Sequence, residues 1–312
     1  MTKFAKVAAL CGLIALPGLA AAQDYPSDTV TIVNPSSPGG GNDLVSRILS
    51  DALSKVWDQN IVVENKPGAG GAVSYGYVAN ATPDGHTILE GSMTFAMQAA
   101  LNTDLPFDLM EKLPRVAMLG TSDIVVVTGT RNPIKTLDDL VRLSGETELF
   151  VGATGAESAS ELNARFVQEA LGVTWKTVTY KSGAEAVVDL LGGRIDVWVA
   201  SVPSNTAAIE SGATPIMVLG DERSDLLPEV PTLAEAGYPD STLSFWWGLF
   251  LPQGTPETVI DAVNEATVTA MNSPEAVEAL ARIGAKPSSM TAKEFDQQVT
   301  KEIATWKRLA GK

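Results

Sequence analysis

Three glycine-rich segments are where this sequence could do chemistry. They are Pro35-Ser-Ser-Pro-Gly-Gly-Gly-Asn-Asp43, Pro67-Gly-Ala-Gly-Gly71 and Gly152-Ala-Thr-Gly-Ala-Glu-Ser158. Each follows a strand-like run and precedes a helical period. In parallel α/β sheets such turns lie at the carboxyl ends of strands, where ligands bind. Glycine lets the backbone come close to a ligand. The helix beyond points unpaired N–H groups and the positive end of its dipole at the same place. That chemistry holds an anion without a cationic side chain. One helix N-terminus contributes about 0.3–1 kcal/mol, and each hydrogen bond to a charged group roughly 1.5–3 kcal/mol. Four or five such contacts reach the −8 kcal/mol or so of micromolar binding after association costs. A single glycine-rich turn reads most simply as a strand-to-helix connection. Three of them, divided between two halves of a chain, read as a binding site.

Other chemistries find no support. The dinucleotide fingerprint fails, because Leu44 and Val73 stand where its third glycine belongs, and no GxxxxGK[ST] phosphate loop occurs. The chain has one His and one Cys, so a His/Cys zinc site has no ligand set and an intrachain disulfide no second thiol. His86 follows Pro83-Asp-Gly85 and reads as a turn residue; no GxSxG elbow accompanies it. Asp138 and Asp139 open a helix, where acids suit the dipole, and do not read as an acid/base pair. The formal net charge is −15, with 22 Lys plus Arg and no basic cluster, so no nucleic-acid partner is expected. Screening over about 8 Å leaves that charge little power to repel an anionic ligand. No cofactor and no metal are expected.

The elements that must position these turns alternate. Val30–Val33 is strand-like. From Asn42 to Trp57, Leu44, Val45, Ile48, Leu49, Ala52, Leu53 and Val56 mark one helical face. Ile61–Val63, a helix from Gly71 to about Asn80, a turn at Pro83-Asp-Gly85 and a strand at Thr87–Leu89 complete a β-α-β-α-β unit, which implies a parallel sheet. The alternation restarts at Ile124–Val127. Thr136 with Asp139 forms a capping box, Leu149–Val151 leads to a helix from Ser158 to Leu171, and strands are expected at Val178–Tyr180, Ile195–Val199 and Ile216–Leu219. Beyond Phe245–Leu251, helices start at Thr255-Pro256, at Ser273-Pro274 and at Thr291 with Glu294. These helices return to the first lobe, so the chain crosses between lobes near 120–124 and again near 245–250. Two crossings make a hinge with a cleft between the lobes. The length of 312 residues suits two domains.

The N-terminus reads as a secretory signal. Lys3 and Lys6 precede the apolar run Val7–Leu19, and Ala20–Ala22 supply a cleavage site. The run is too short to span a membrane. Cys11 follows Leu10, where a lipoprotein signal would carry a small residue. Removing residues 1–22 takes away the single Cys, Lys3, Lys6 and no acid. The expected product is exported, most simply to a bacterial periplasm.

Several strings together carry a family resemblance. They are Pro38-Gly-Gly-Gly-Asn-Asp43, Val63-Glu-Asn-Lys-Pro-Gly-Ala-Gly-Gly71, Pro83-Asp-Gly85, Asp189-Leu-Leu-Gly-Gly193, Val230-Pro-Thr-Leu-Ala-Glu-Ala-Gly237 and Trp247-Gly-Leu-Phe-Leu-Pro252 running into Gly254-Thr-Pro256. The chain resembles the extracytoplasmic solute receptors of tripartite tricarboxylate transporters, the Bug family, across essentially its whole length after residue 22. The resemblance implies an α/β, two-lobed Venus-flytrap fold of the type II-like periplasmic-binding class. The lobes are expected at 23–121 plus 249–312 and at 122–248. It implies capture of a small organic carboxylate and delivery to a permease with a large and a small membrane subunit. It implies no catalysis, and a monomer.

By the same resemblance the ligand carboxylate lies between the first two glycine turns, at Ser36, Ser37, Gly39 and Gly40 and at Ala69 and Gly70. The second lobe contributes Thr154, Ala156, Glu157 and Ser158 to the distal group. This chain departs from the family pattern at Ser36, where an aromatic is frequent, and at Ala200, where an acid is. The third turn has Glu157 for Gly and Glu161 for His. Glu161 reads as the partner of Ser158 in a capping box. Glu157 is either a solvated loop acid or an acceptor for a ligand amine or hydroxyl. Of Trp246 and Trp247, one is expected in the core or hinge and the other possible along the cleft. Two other readings stand beside the transport receptor: a sensor whose closed form docks on a signalling partner, and an α/β hydrolase.

Overall fold

The computed structural model describes residues 25–101, 105–155, 158–238 and 242–311. The expected signal segment, residues 1–22, therefore lies outside the described residues, as do Ala156 and Glu157. The first stretch runs β1 (Val30–Asn34), α1 (Gly41–Trp57), β2 (Ile61–Asn65), α2 (Ala72–Ala79), β3 (Thr87–Ser92), α3 (Met93–Leu101) and α4 (Leu109–Lys112). It continues with β4 (Arg115–Thr128), α5 (Leu137–Glu146), β5 (Phe150–Ala153), α6 (Ala159–Leu171), β6 (Lys176–Thr179), α7 (Gly183–Gly192), β7 (Val197–Ser201), α8 (Val202–Glu210) and β8 (Thr214–Val218). The chain ends with β9 (Ser244–Phe250), α9 (Glu257–Met271), α10 (Pro274–Arg282), β10 (Ala285–Pro287) and α11 (Ala292–Leu309).

β1 lies between β2 and β3 in parallel, with Val33 opposite both Glu64 and Leu89. β9 joins β3 antiparallel, and β4 joins β9 antiparallel. β5 pairs in parallel with β6 and β7. β4 is shared. Its residues 115–123 pair with β9, while residues 124–128 pair with β7 and β8. The result is a two-lobed α/β fold with one long strand common to both lobes.

Local chemistry explains the helices around this frame. Val45, Leu49 and Leu53 recur at four-residue spacing, and all three are fully buried against Ile32, Ile88 and Val263. Each such side chain contributes about 1.5–3 kcal/mol of burial. The capping boxes at Thr136 and Thr291 and the Ser273-Pro274 start form as their sequences dictate. α9 differs by one residue. Pro256 is its N-cap, and the Thr255 hydroxyl instead donates to the Pro252 carbonyl at 2.8 Å.

β4 starts nine residues before the strand expected at Ile124. Gly120-Thr-Ser-Asp123 interrupts the apolar pattern, yet β9 and β10 supply pairing partners on both edges there. α8 and β10 were not anticipated. β10 is only three residues long and exists through its antiparallel pairing with β4.

Candidate functional site

The first glycine turn is built from the end of β1. Buried Asn34 accepts from the Ser36 N–H and the Ser36 hydroxyl, each at 2.7 Å, and donates to Ser46 Oγ at 2.8 Å. Gly39 has φ +83°, and its N–H donates to Asp43 Oδ2 at 2.9 Å. Asp43 also accepts from Arg47 Nε at 2.9 Å and from Asn65 Nδ2 at 2.9 Å. Asn65 in turn holds the Ser36 carbonyl at 3.0 Å. Burial opposes the charge on Asp43, but the hydrogen bonds from Arg47, Gly39 and Asn65 outweigh it and hold the carboxyl below its ordinary range. The turn is thus fixed from beneath by Asn34, Asp43 and Asn65. Sequence reasoning named none of these as functional, although all three lie inside or beside the family strings.

The donors left over are informative. The Gly40 N–H is directed to the Ser37 carbonyl at 3.3 Å, and Gly40, the N-cap of α1, has no side chain to cap it. The first N–H groups of an α-helix have no partner within it. Those of Gly41 and Asn42 therefore form the donor end of this turn, one residue beyond the positions expected from sequence. Ser36, Ser37, Gly39 and Gly40 precede it in the same turn.

The second turn is a run of left-handed backbone. Ala69, Gly70 and Gly71 have φ of +46°, +62° and +100°. Positive φ at Ala69, a residue with a Cβ, is uncommon and marks a held conformation. Ala69 and Gly70 are exposed, and a Cβ on Gly70 would collide with Gln98 Nε2. The α3 amide thus packs directly on the turn. α3 also touches α6, so it links this turn to the other lobe.

In the third turn Ser158 is the N-cap of α6, accepting from the Glu161 N–H at 3.3 Å. The Glu161 carboxylate pairs with Arg165 at 2.9 Å. The Thr154 N–H donates to Ser160 Oγ at 3.0 Å, and Ser158 Oγ lies 3.1 Å from the same atom. Three hydroxyls are thereby clustered at the head of α6, with Thr154 exposed.

α8 adds a feature that the sequence reading passed over. A Cβ on Gly41 would lie 3.5 Å from Ser204 Oγ and 3.8 Å from Pro203 Cβ. The first turn of α8 thus faces the first turn of α1 across the two lobes. Ser201, the N-cap of α8, makes no side-chain cap bond; its hydroxyl lies 2.9 Å from Ser204 Oγ. Ser201-Val-Pro203 carries the Ser-plus-Pro signature of a helix start, which was the available signal.

Trp246 and Trp247 are both fully buried, so neither lines an open cleft. Trp246 donates to Glu302 Oε2 at 2.7 Å, and burial pushes the Glu302 carboxyl up to about 7. Trp247 donates to Asn42 Oδ1 at 3.2 Å and so reaches the first turn of α1 from below.

A two-lobed frame with backbone donors converging between its lobes defines a solute-binding receptor. Known proteins agree. The family model of the tripartite tricarboxylate transporter family receptor matches residues 45–312. BugT of Bordetella pertussis is 32% identical over 303 residues, covering 94% of this chain and 92% of its own. An Agrobacterium vitis protein from the TAR-I ttuE-ttuC' intergenic region is 34% identical, covering 95% and 88%. Among solved structures, MatC of Rhodopseudomonas palustris with bound malate superposes with a TM-score of 0.81 at 29% identity, covering 91% of this chain and 99% of its own. An R. palustris protein with adipate gives 0.85 at 26% identity, covering 92% and 98%. The chain belongs to the tripartite tricarboxylate transporter receptor family, whose members bind solutes and are not enzymes.

Proposed function

We propose that this protein captures a small organic carboxylate between its lobes and delivers it to a permease of one large and one small membrane subunit. The observation that carries this reading is the uncapped first turn of α1 facing the first turn of α8, with the Ala69–Gly71 turn nearby. Backbone donors there suit a carboxylate, and relatives hold malate and adipate. Ser36, Ser37, Gly39, Gly40, Ala69 and Gly70 frame the proximal carboxylate in this reading. Thr154, Ala156, Glu157 and Ser158 select the distal group, with Ser204 added to them. The lobes divide as 23–121 plus 249–312 and 122–248, close to where β4 exchanges one set of partners for the other. The chain is exported with residues 1–22 removed and works as a periplasmic monomer. Ligand binding favours the closed arrangement of the hinge, which the permease recognises.

Thermal unfolding against malate, adipate, other organic acids, amino acids and neutral sugars tests this. A ligand at about 100 times its Kd stabilises the folded state by roughly 2.7 kcal/mol. A shift with one or more carboxylates and none with sugars supports the reading. A shift with sugars alone refutes it.

A further inference from the structure

Glu90 is a buried acid that the glycine turns do not account for. It lies on β3 two residues after Ile88, so both point to the face that α1 covers. Glu90 is the nearer of the two to the carboxyl end of the strand and sits by the first turn of α1. It is fully buried, and neither carboxyl oxygen has a hydrogen bond of ordinary geometry.

Its neighbours come from three elements. α1 brings the Asn42 amide, which eases a charge on Glu90, and the Asp43 carboxylate, which opposes one. Asp43 is itself paired with Arg47. α2 bears on it from the opposite face of the sheet, where the fully buried, unpartnered Tyr75 hydroxyl packs with Leu89; its proton is held by burial and by any charge at Glu90. β9 brings Leu249, opposite Glu90 in register, and Trp247, which fixes Asn42 through its Oδ1. No Lys, Arg or His among the described residues bears on Glu90. These surroundings favour the uncharged form of the acid.

We propose that Glu90 works uncharged beneath the mouth of α1: as a neutral acid it permits a carboxylate to bind at the first turn of that helix, and on ionisation it weakens that binding. The inference rests on the carboxylate reading above. An ionised Glu90 would add a second negative charge, beside Asp43, beneath the turn that holds the anion. Burial lifts the Glu90 carboxyl well above its ordinary range, so its ionisation comes at higher pH than that of the exposed carboxylates. Linkage is reciprocal: if ionisation weakens the ligand tenfold, the bound ligand strengthens proton binding at Glu90 tenfold. Binding must then take up protons from solution.

Calorimetric titration of L-malate, and in parallel adipate, into the purified protein at about pH 6 and about pH 9 tests this, repeated in buffers of different protonation enthalpy. The expected result is roughly tenfold weaker binding at the higher pH, with proton uptake. In Glu90→Gln the ratio between the two pH values should shrink to within about twofold and the uptake should vanish. A role confined to packing would lower stability and leave the pH profile intact. Equal wild-type affinity at both pH values overturns the proposal, as does the same fall in Glu90→Gln. Should that variant fail to fold, absence of proton uptake by the wild type is decisive against it. If a carboxylate binds with identical pH dependence in both proteins, only this inference fails. If neither ligand binds the wild type at any pH while sugars do, the carboxylate reading fails first and this one with it.

Discussion

α1 and α6 both begin at a glycine-rich turn after a parallel strand, yet their first turns are finished differently. α6 is capped by its own Ser158, whose hydroxyl occupies the Glu161 N–H. α1 is headed by Gly40, which offers no side-chain oxygen, and the acid in its first turn, Asp43, reaches back to the Gly39 N–H. One helix end is closed by its sequence, and the other is held open by a scaffold beneath it. In a binding protein the open end is where a ligand supplies the missing acceptors, while a capped end contributes side chains instead of backbone. At the head of α6 the hydroxyls of Thr154, Ser158 and buried Ser160 cluster instead, and in the proposed reading Thr154 and Ser158 tell one ligand from another.

The largest expected effect comes from removing the scaffold. Asp43→Ala takes the acceptor from the Gly39 N–H, Asn65 and Arg47 together, and should cost about 2–4 kcal/mol in urea unfolding and abolish carboxylate binding. The pH sign follows from its lowered carboxyl. The stabilisation by Asp43 is fully present above the unfolded-state value of about 4 and is lost as pH falls through the folded-state value. The stability gap between wild type and Asp43→Asn should accordingly close on acidification.

Next, Gly40→Ser would turn α1 into a helix of the α6 kind. Gly40 has φ −76° and ψ 166°, ordinary N-cap geometry, and its Cβ position is no closer than 3.4 Å to other atoms. Stability should rise by a few tenths of a kcal/mol. Carboxylate affinity should drop about tenfold as the new hydroxyl competes for the same N–H groups. Unchanged affinity would show that these groups are not the anion site. Conversely, Ser158→Ala should cost about 1 kcal/mol of stability and about fivefold in affinity, because its hydroxyl both caps α6 and belongs to the proposed distal site. Unchanged affinity with the stability loss would show that Ser158 is a cap alone and remove it from the proposed site. The smallest effect is expected from Ser204→Ala, a roughly threefold affinity loss with stability within about 0.5 kcal/mol, because one exposed-rim hydroxyl is removed and no helix end is uncapped.

Much of this frame was legible beforehand. The i, i+4 spacing of Val45, Leu49 and Leu53 gave α1, and Thr136, Ser273 and Thr291 marked three helix starts, because caps and amphipathic faces are local. α8 was missed despite Ser201-Val-Pro203, since its short segment carries little apolar periodicity. The head of β4 was missed because Gly120-Thr-Ser-Asp123 has no strand alternation; its pairing with β9 and β10 decides it. Trp247 illustrates the same limit within the site. Its spacing does not reveal that it is fully buried and touches Asn42, 205 residues away in sequence.

The sequence by itself determined the two α/β halves, the three glycine turns and the family, since turn chemistry, capping and hydrophobic period act over a few residues. Only the tertiary structure decided which helix ends remain open, that α8 faces α1, and that Glu90 is sealed beneath the first turn. Those facts depend on long-range strand pairing and burial, which bring together groups that no local pattern connects.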